Sequence, residues 1–234
     1  MCNESCVLFV ARQLDRGIVQ GRSVVELGSA GVGLRSLLTS WSPSRYVGVD
    51  IVQGPGVDLV CQAEDIVRVL PAEAFDVVLS TEMLEHVLDW RRVITNIKTL
   101  CAPGGRVVLT TRSLGYPYHS APWDFWRYEV DDMRAIFADF AVHAVETDWQ
   151  EPGVFVAASK PRGAYRPVDL SSLELHSMVT GGRTRVIPSG PLSKFRSARK
   201  VWRDRVPKFA KVVVETLRGR PPNIRFPPDG GNPR

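Results

Sequence analysis

Short apolar segments with strand character recur through the first 160 residues and alternate with segments of helical character. Five of these segments occupy residues 23–27, 46–50, 57–60, 75–79 and 106–110. Each is apolar over most of its length, so both of its faces are expected to be covered, as in the parallel sheets of α/β proteins. The pattern predicts a doubly wound, mostly parallel, Rossmann-like α/β sheet.

The intervening segments and the end of this region complete the predicted fold. Helices are predicted at residues 3–17, 34–40, 90–100 and 130–140, and two further strands at residues 141–147 and 154–159. The turn-rich stretch between the last two strands favours an antiparallel hairpin that closes the sheet. We therefore expect a domain over residues 1–160 and a separate extension over residues 161–234.

The charge is distributed unevenly between these two parts. Residues 1–160 contain 14 Lys/Arg and 20 Asp/Glu, whereas residues 161–234 contain 16 and 5. The extension is predicted to be helical over residues 192–217 and disordered over residues 221–234. The basic residues of 194–220 are interleaved with apolar ones, a pattern that could bind a membrane or other anionic surface, a nucleic acid or a protein partner, or could dock on the chain's own acidic domain. The basic extension gives no reason to expect a nucleic-acid substrate at the domain.

Cysteine content and hydropathy argue against several classes of protein. Four cysteines without metal-ligand spacing predict neither a disulfide framework nor a zinc site, and no metal is expected. The chain also lacks an apolar run long enough for a transmembrane segment, and its first residues do not resemble a signal peptide. These features predict a cytoplasmic protein.

A glycine-containing turn follows the first predicted strand. Residues 26–33 read ELGSAGVG, and Asp50 ends the second strand about twenty residues later. Glycines allow the backbone to turn tightly and to approach a ligand, and a carboxylate at the second strand end can accept hydrogen bonds from ribose hydroxyls. The combination predicts a nucleoside-bearing cofactor but does not decide which one.

The order of several motifs resembles the class I S-adenosylmethionine-dependent methyltransferases over roughly residues 20–160. The resemblance is carried by residues 24–33, YVGVD at 46–50, FDVVLS at 75–80, LEHV at 84–87 and the turn at 100–105. It implies a seven-stranded sheet with a C-terminal antiparallel hairpin, S-adenosyl-L-methionine as cofactor, and methyltransferase activity. The usual family spacing would place glycines at positions 28, 30 and 32, where this chain has Gly28, Ala30 and Val32.

The resemblance also implies cofactor contacts at the ends of four strands. Glu26 would contact the methionine end of the cofactor, and Asp50 would bind the ribose hydroxyls. The other implied contacts are Gly28, Ser29 and Gly31 at the methionine and ribose, Ile51, Gln62, Ala63 and Glu64 at the adenine, and Thr81 and Glu82 near the reactive end.

Fewer sequence features indicate how the methyl acceptor would bind. His86 follows the fourth strand, and His119 lies in a loop at residues 112–128 that contains six aromatic residues. Either histidine is a candidate general base, although an acceptor that is already nucleophilic needs none. The loop is interpreted as a lid over the acceptor or as a structural cap of the sheet edge.

We expect O-methylation of a saccharide or other small molecule. Residues 80–83 read STEM and lack the Asn/Asp-Pro-Pro-aromatic motif of enzymes that methylate exocyclic amines of DNA bases. Two alternatives stay open: a non-catalytic binding module of the same fold that uses its basic tail, and a nucleotide-dependent dehydrogenase. The latter should have a regular G-x-G-x-x-G turn, which is not present.

Overall fold

The computed structural model describes residues 3–31, 33–119 and 124–188, and a seven-stranded sheet forms its centre. Its strands are β1 Ser23–Leu27, β2 Arg45–Asp50, β3 Leu59–Val60, β4 Phe75–Thr81, β5 Cys101–Arg112, β7 Ala141–Thr147 and β8 Gly153–Ser159. Their order in the sheet is β3-β2-β1-β4-β5-β8-β7, with antiparallel pairing only at β5–β8 and β8–β7. The predicted fold is therefore confirmed.

Five helices accompany the strands within the described residues: α1 Glu4–Gln13, α2 Arg16–Val19, α3 Gly33–Thr39, α4 Trp90–Leu100 and α5 Val130–Ile136. The single helix predicted over residues 3–17 is two helices. Leu14 is extended, and the Asp15 side chain accepts a hydrogen bond from the Ile18 backbone N–H, which starts α2. The apolar spacing continues through Leu14, so periodicity alone did not reveal this break.

The sheet separates two apolar clusters. Val25 and Val78 pack into one cluster, whereas their neighbours Val24 and Val77 pack into the other, and all four are fully buried. This alternation follows from the two-residue period of a strand, and it requires apolar residues on both faces. The rigid, doubly covered sheet fixes the positions of the loops at its carboxyl edge.

A second, three-stranded antiparallel sheet was not predicted. It consists of β6 Trp126–Arg127, β9 Leu175–Ser177 and β10 Gly182–Thr184, in the order β10-β9-β6. The segment before β9 is anchored by side chains of the first 160 residues, since Asp139 accepts hydrogen bonds from the Tyr165 hydroxyl and the Val168 N–H. The division of the chain at residue 160 stays a prediction.

Two predictions for the C-terminal region concern residues that the structure does not describe. The helix at residues 192–217 and the disorder at residues 221–234 both lie outside the described residues. Within the described ranges, no helix is long and apolar enough to span a membrane.

Candidate active site

The carboxyl ends of β1, β2 and β4 meet at one edge of the sheet. Glu26 of β1 is in register with Gly48 of β2 and with Leu79 of β4, so the turns after the three strands are neighbours. Parallel sheets bind ligands in the crevice at this edge. The structure thus brings the predicted cofactor residues of these three strands to the same edge.

Glu26 is a buried carboxyl group, with 3% of its surface exposed. The Tyr46 hydroxyl donates a hydrogen bond to its Oε2 atom. Burial raises the pKa of Glu26 to about 7, although the Tyr46 hydrogen bond and the charge of Arg35 act in the opposite direction. A carboxylate in this position is a strong electrostatic partner for a cationic ligand, since few polar groups of the protein compensate its charge.

Glu26→Gln is expected to change the pH dependence of stability. Because the folded-state pKa of Glu26 is raised, its stabilising contribution is present below pH 4.5 and is lost as the pH rises through about 7. Without cofactor, the free energy of unfolding of the variant should therefore exceed that of the wild type by about 3 kcal/mol at pH 8, and the two values should agree near pH 4.5. Urea unfolding at both pH values measures this difference. Glu174→Gln, which removes a half-exposed carboxylate, is the control for loss of a surface charge. An equal difference between Glu26→Gln and wild type at both pH values would contradict the expectation.

The turn after β1 has a backbone that requires glycine at its first position. Gly28 has φ of 86°, and a Cβ atom there would lie 2.9 Å from the Cβ of Met83. Ser29 is buried, and its hydroxyl has no hydrogen-bond partner among the described residues. Among the described residues, no atom outside the adjoining positions lies within 4 Å of where a Cβ on Gly31 would be, so this residue borders open space. The turn therefore offers both a polar atom and room for a ligand.

Asp50 connects this turn to the loop after β2. Its Oδ2 atom accepts a hydrogen bond of 3.0 Å from the Ala30 N–H, and its Oδ1 atom accepts one of 3.2 Å from the Val52 N–H. Each carboxylate oxygen has a second lone pair, which leaves acceptor capacity for ribose hydroxyls. Asp50 can thus organise the turn and bind a nucleoside.

Asp50→Ala is expected to weaken binding of S-adenosylhomocysteine by about 10-fold or more. Charge-assisted hydrogen bonds contribute roughly 1.5–3 kcal/mol, and the Ala30 N–H also loses its acceptor. Isothermal titration calorimetry measures the dissociation constant. Asp169→Ala, which removes a carboxylate bonded to Ser171, is the control. Unchanged affinity in Asp50→Ala would remove Asp50 from the cofactor site.

Gly48 and Gly56, which were not among the predicted cofactor residues, allow the loop after β2 to lie against the turn. A Cβ on Gly48 would lie 1.9 Å from the Gly56 carbonyl oxygen, and one on Gly56 would lie 2.1 Å from that of Ser29 and 2.2 Å from that of Gly31. Backbone atoms at such distances leave no space for a side chain. The GPG stretch at residues 54–56 was the available sequence signal for this close contact.

The residues implied at the adenine lie beside β2 and β3. Ile51 follows Asp50 directly, and Gln62, Ala63 and Glu64 follow β3, which pairs with the end of β2. Ala63 and Glu64 begin a 3₁₀ helix at Ala63–Arg68, and the Asn96 amide donates hydrogen bonds to both of their carbonyl oxygens. Burial raises the pKa of Glu64. These four residues are partly or fully buried beside the carboxyl end of β2, and their contacts with a cofactor stay a prediction.

Glu82 takes a strained conformation directly after β4 and Thr81. Its φ is 52°, in the left-handed region that side chains other than glycine rarely adopt. Its carboxylate accepts a 2.9 Å hydrogen bond from the Thr110 hydroxyl and pairs with the Arg112 guanidinium. Burial, and then the nearby charge of Glu85, raise the pKa of Glu82 to about 7. The carboxylate of Glu82 therefore interacts with protein side chains near the predicted reactive end of the cofactor.

Glu85, His86 and His119 form a cluster at the same edge. The two Nε2 atoms of the histidines lie 3.1 Å apart, and each lies 3.7 Å from Oε1 of Glu85. Glu85 is completely buried. Burial acts to raise its pKa, but the histidines and the Thr111 hydroxyl outweigh burial, so the pKa is lowered and the carboxylate stays ionised.

Asp124 orients His119 within this cluster. Its Oδ2 atom lies 3.1 Å from Nδ1 of His119 and also accepts a 3.0 Å hydrogen bond from the His119 backbone N–H. The hydrogen bond with Asp124, and then Glu85, raise the pKa of His119 to about 9. Asp124 also pairs with the completely buried Arg127. The structure thus brings both predicted histidines together and adds Glu85 and Asp124, which the sequence analysis did not identify.

The aromatic loop divides into two parts. Phe125, Trp126 and Tyr128 are buried, and the Tyr128 hydroxyl donates a hydrogen bond to the Leu84 carbonyl oxygen, so this part caps the sheet edge. Tyr116 packs edge-on against His119 with ring centroids 5.1 Å apart, which leaves the other part at the cluster. Trp123 lies outside the described residues.

Comparison with known families identifies the fold and the cofactor class. The family described as "Methyltransferase domain" matches residues 3–149, which is more than half of the chain. The chain belongs to this methyltransferase family. It is a class I S-adenosylmethionine-dependent methyltransferase, and its cofactor is S-adenosyl-L-methionine. The dehydrogenase alternative is therefore wrong.

Curated relatives are similar to part of the methyltransferase. It is 32% identical over 111 residues to the ubiquinone biosynthesis O-methyltransferase of Pseudomonas syringae pv. tomato. That match covers 42% of this chain and 47% of the relative, so the chain spans about half the length of the curated relatives it matches.

Solved structures share the fold at low sequence identity. One is an S-adenosylmethionine-dependent methyltransferase from Mesorhizobium loti, with a TM-score of 0.51, 17% identity, and coverage of 68% of this chain and 99% of that one. Another is the 1,6-didemethyltoxoflavin-N1-methyltransferase of Burkholderia thailandensis with bound S-adenosylhomocysteine, with a TM-score of 0.51, 15% identity, and coverage of 68% and 77%.

The residues at the methyltransferase's strand ends suit this cofactor. S-adenosyl-L-methionine carries an ammonium group, a sulfonium centre and two ribose hydroxyls. The buried carboxylate of Glu26, the unpartnered hydroxyl of Ser29 and the carboxylate of Asp50 offer acceptors for such groups. The open space at Gly31 leaves room beside them.

Proposed function

We propose that this methyltransferase transfers the methyl group of S-adenosyl-L-methionine to a hydroxyl oxygen of a small-molecule acceptor. The observation that carries the proposal is the cluster of Glu85, His86 and His119. Glu85 and His86 follow β4 by a few residues, and His119 lies in the loop after β5, so the cluster presents two imidazole nitrogens beside a buried carboxylate. A hydroxyl needs activation before it attacks a methyl group, whereas a neutral amine does not, so such a cluster favours an oxygen acceptor.

The chain's own residues have distinct parts in this reaction. The cofactor supplies an electrophilic methyl group when it is bound. Glu26, Asp50 and the turn at residues 28–31 hold the cofactor and orient it toward the acceptor. Asp124 keeps the Nδ1 side of His119 occupied, which leaves its Nε2 atom directed at the cluster. The neutral imidazole of His119 accepts the hydroxyl proton, and because the pKa of His119 is raised to about 9, this neutral form increases as the pH rises toward 9.

Two observations support a hydroxyl-bearing small molecule as the acceptor. The Pseudomonas relative is named a ubiquinone biosynthesis O-methyltransferase, and this name supports an oxygen acceptor on a small molecule. Tyr116 places an aromatic ring beside His119, and this ring can contact a ring of the acceptor, either a phenol or a sugar. A test of activity should therefore include both phenols and sugars as acceptors.

Two measurements on the purified full-length protein test the proposal. Calorimetry should detect S-adenosylhomocysteine at micromolar concentrations. Labelled S-adenosyl-L-methionine, offered with panels of phenols, catechols, saccharides and amines, should label a hydroxyl compound, and mass spectrometry should locate the methyl group on oxygen. Transfer to amines alone would contradict the oxygen assignment. Failure to bind S-adenosylhomocysteine would favour the non-catalytic binding module.

A further inference from the structure

We propose that Glu85, His86 and His119 bind a divalent transition-metal cation of the zinc type, which holds the acceptor's hydroxyl oxygen. The three side chains can each direct one ligand atom at a common point, and these atoms lie within 4.8 Å of one another. The statement about the acceptor rests on the proposed function. Binding of the cation itself does not, so the two can fail separately.

The distances between the ligand atoms fit such a cation. Two nitrogen ligands at about 2.0–2.1 Å from zinc, with an angle of about 90–110° between them, are roughly 2.9–3.4 Å apart. The Nε2 atoms of His86 and His119 are 3.1 Å apart. Oε1 of Glu85, at 3.7 Å from each nitrogen, needs to move by only a few tenths of an ångström.

The carboxylate of Glu85 provides an independent observation. Its side chain is fully buried, and Oε2 accepts a 2.8 Å hydrogen bond from the Thr111 hydroxyl. Oε1, which is directed at the two imidazoles, has no hydrogen-bond partner among the described residues. A buried anionic oxygen without such a partner is costly unless a positive charge compensates it. A metal cation between Oε1 and the two Nε2 atoms would supply this charge in place of a protonated imidazole.

Asp124 orients His119, one of the proposed ligands, by contacting the ring nitrogen that faces away from the cation. Its Oδ2 atom lies 3.1 Å from Nδ1 of His119, which leaves Nε2 as the ligand nitrogen, and Arg127 holds the carboxylate in place. A carboxylate bound to the far nitrogen of a ligating histidine is typical of metal centres, because it fixes the ring's tautomer and orientation. The backbone of Glu85 is also fixed, since its carbonyl oxygen accepts a 2.8 Å hydrogen bond from the Phe125 N–H.

The ligand set indicates the class of cation and its chemistry. Two imidazoles and one carboxylate suit zinc and neighbouring transition metals better than Mg²⁺ or Ca²⁺, which prefer oxygen ligands. Three protein ligands leave a position for the acceptor hydroxyl. Such a cation would lower the pKa of a hydroxyl group held at that position, so that its proton would pass to water, its oxygen would bond to the methyl carbon, and the carbon–sulfur bond would break to leave neutral S-adenosylhomocysteine.

Cobalt titration tests cation binding without an acceptor. The full-length protein, freed of metal with a chelator, should bind one Co²⁺ per chain with visible absorption bands of tetrahedral or five-coordinate cobalt, and Zn²⁺ should abolish them. His119→Ala, His86→Ala and Glu85→Gln should each lose this binding, and Asp124→Asn should weaken it about 10- to 100-fold. His143→Ala, at a histidine of the edge strand β7, should bind like the wild type.

Three outcomes would overturn the proposal: no saturable cobalt spectrum in the wild type, unchanged spectra in His119→Ala and His86→Ala, or loss in His143→Ala alone. Circular dichroism of each variant separates loss of ligands from loss of folding. Full-rate transfer to a hydroxyl by metal-free protein would refute the cation's role at the acceptor and leave the proposed function intact. Cobalt binding without any hydroxyl methylation would support the cation site and contradict the proposed function.

Discussion

His119→Ala is expected to lower kcat for hydroxyl methylation by about 100- to 10,000-fold, because groups that activate a reacting hydroxyl contribute this much to rate. His119 lies between His86, Glu85 and Asp124, so its loss removes a central member of the cluster. The cofactor residues Glu26 and Asp50 are on other strand ends. The dissociation constant of S-adenosylhomocysteine should therefore stay unchanged.

Steady-state kinetics with the hydroxyl acceptor found in the panel, together with calorimetry, measure both quantities. His143→Ala is a matched control, because His143 lies on β7 and its side chain contacts the Ser159 hydroxyl. It should retain wild-type turnover. If His119→Ala also turns over at the wild-type rate, the cluster takes no part in activation. A parallel loss of cofactor affinity would indicate a structural effect instead.

Asp124→Ala is expected to lower the free energy of unfolding by about 3–5 kcal/mol. Asp124 and Arg127 form an ion pair in which neither side chain is exposed, and removal of the carboxylate leaves a buried guanidinium charge without its counterion. The carbonyl oxygens of Tyr116 and Pro117 also contact this guanidinium, but they carry no net charge. Urea unfolding gives the change in free energy and the slope that verifies a comparable unfolded state.

Asp131→Ala provides a control with the same sequence spacing. Asp131 and Arg134 are also three residues apart and form an ion pair, but both side chains are largely exposed. This variant should lose at most about 1 kcal/mol. The double variant Asp124→Leu/Arg127→Met should be less destabilised than Asp124→Ala, because it removes the unpaired charge. Equal effects of Asp124→Ala and Asp131→Ala would show that burial of the pair is energetically unimportant.

The part of the site that could be predicted from the sequence consists of short motifs at the ends of predicted strands. The turn at residues 26–33 and Asp50 could be placed at one sheet edge, because consecutive parallel strands end on the same side. The contact between the turn and Gly56 could not be foreseen, since it depends on the path of a loop more than twenty residues away. Glu85 was passed over for a similar reason: its importance comes from complete burial beside two histidines.

The sequence by itself determined the architecture of the sheet. Strands such as β1 and β4 are apolar on both faces, and this composition is compatible only with a sheet covered on both sides. It did not determine the second sheet, because strands of two and three residues, such as β6 and β9, are too short to show a period.

The tertiary structure alone decided where charges lie relative to one another. His119 follows His86 by 33 residues, and no spacing rule connects them, yet their nitrogens are 3.1 Å apart beside the carboxylate of Glu85. Local patterns of hydrophobicity set secondary structure, because they act between neighbours in the chain. The interaction of buried charges depends on distance in space and on exclusion of water, and both are fixed only when the whole fold is formed.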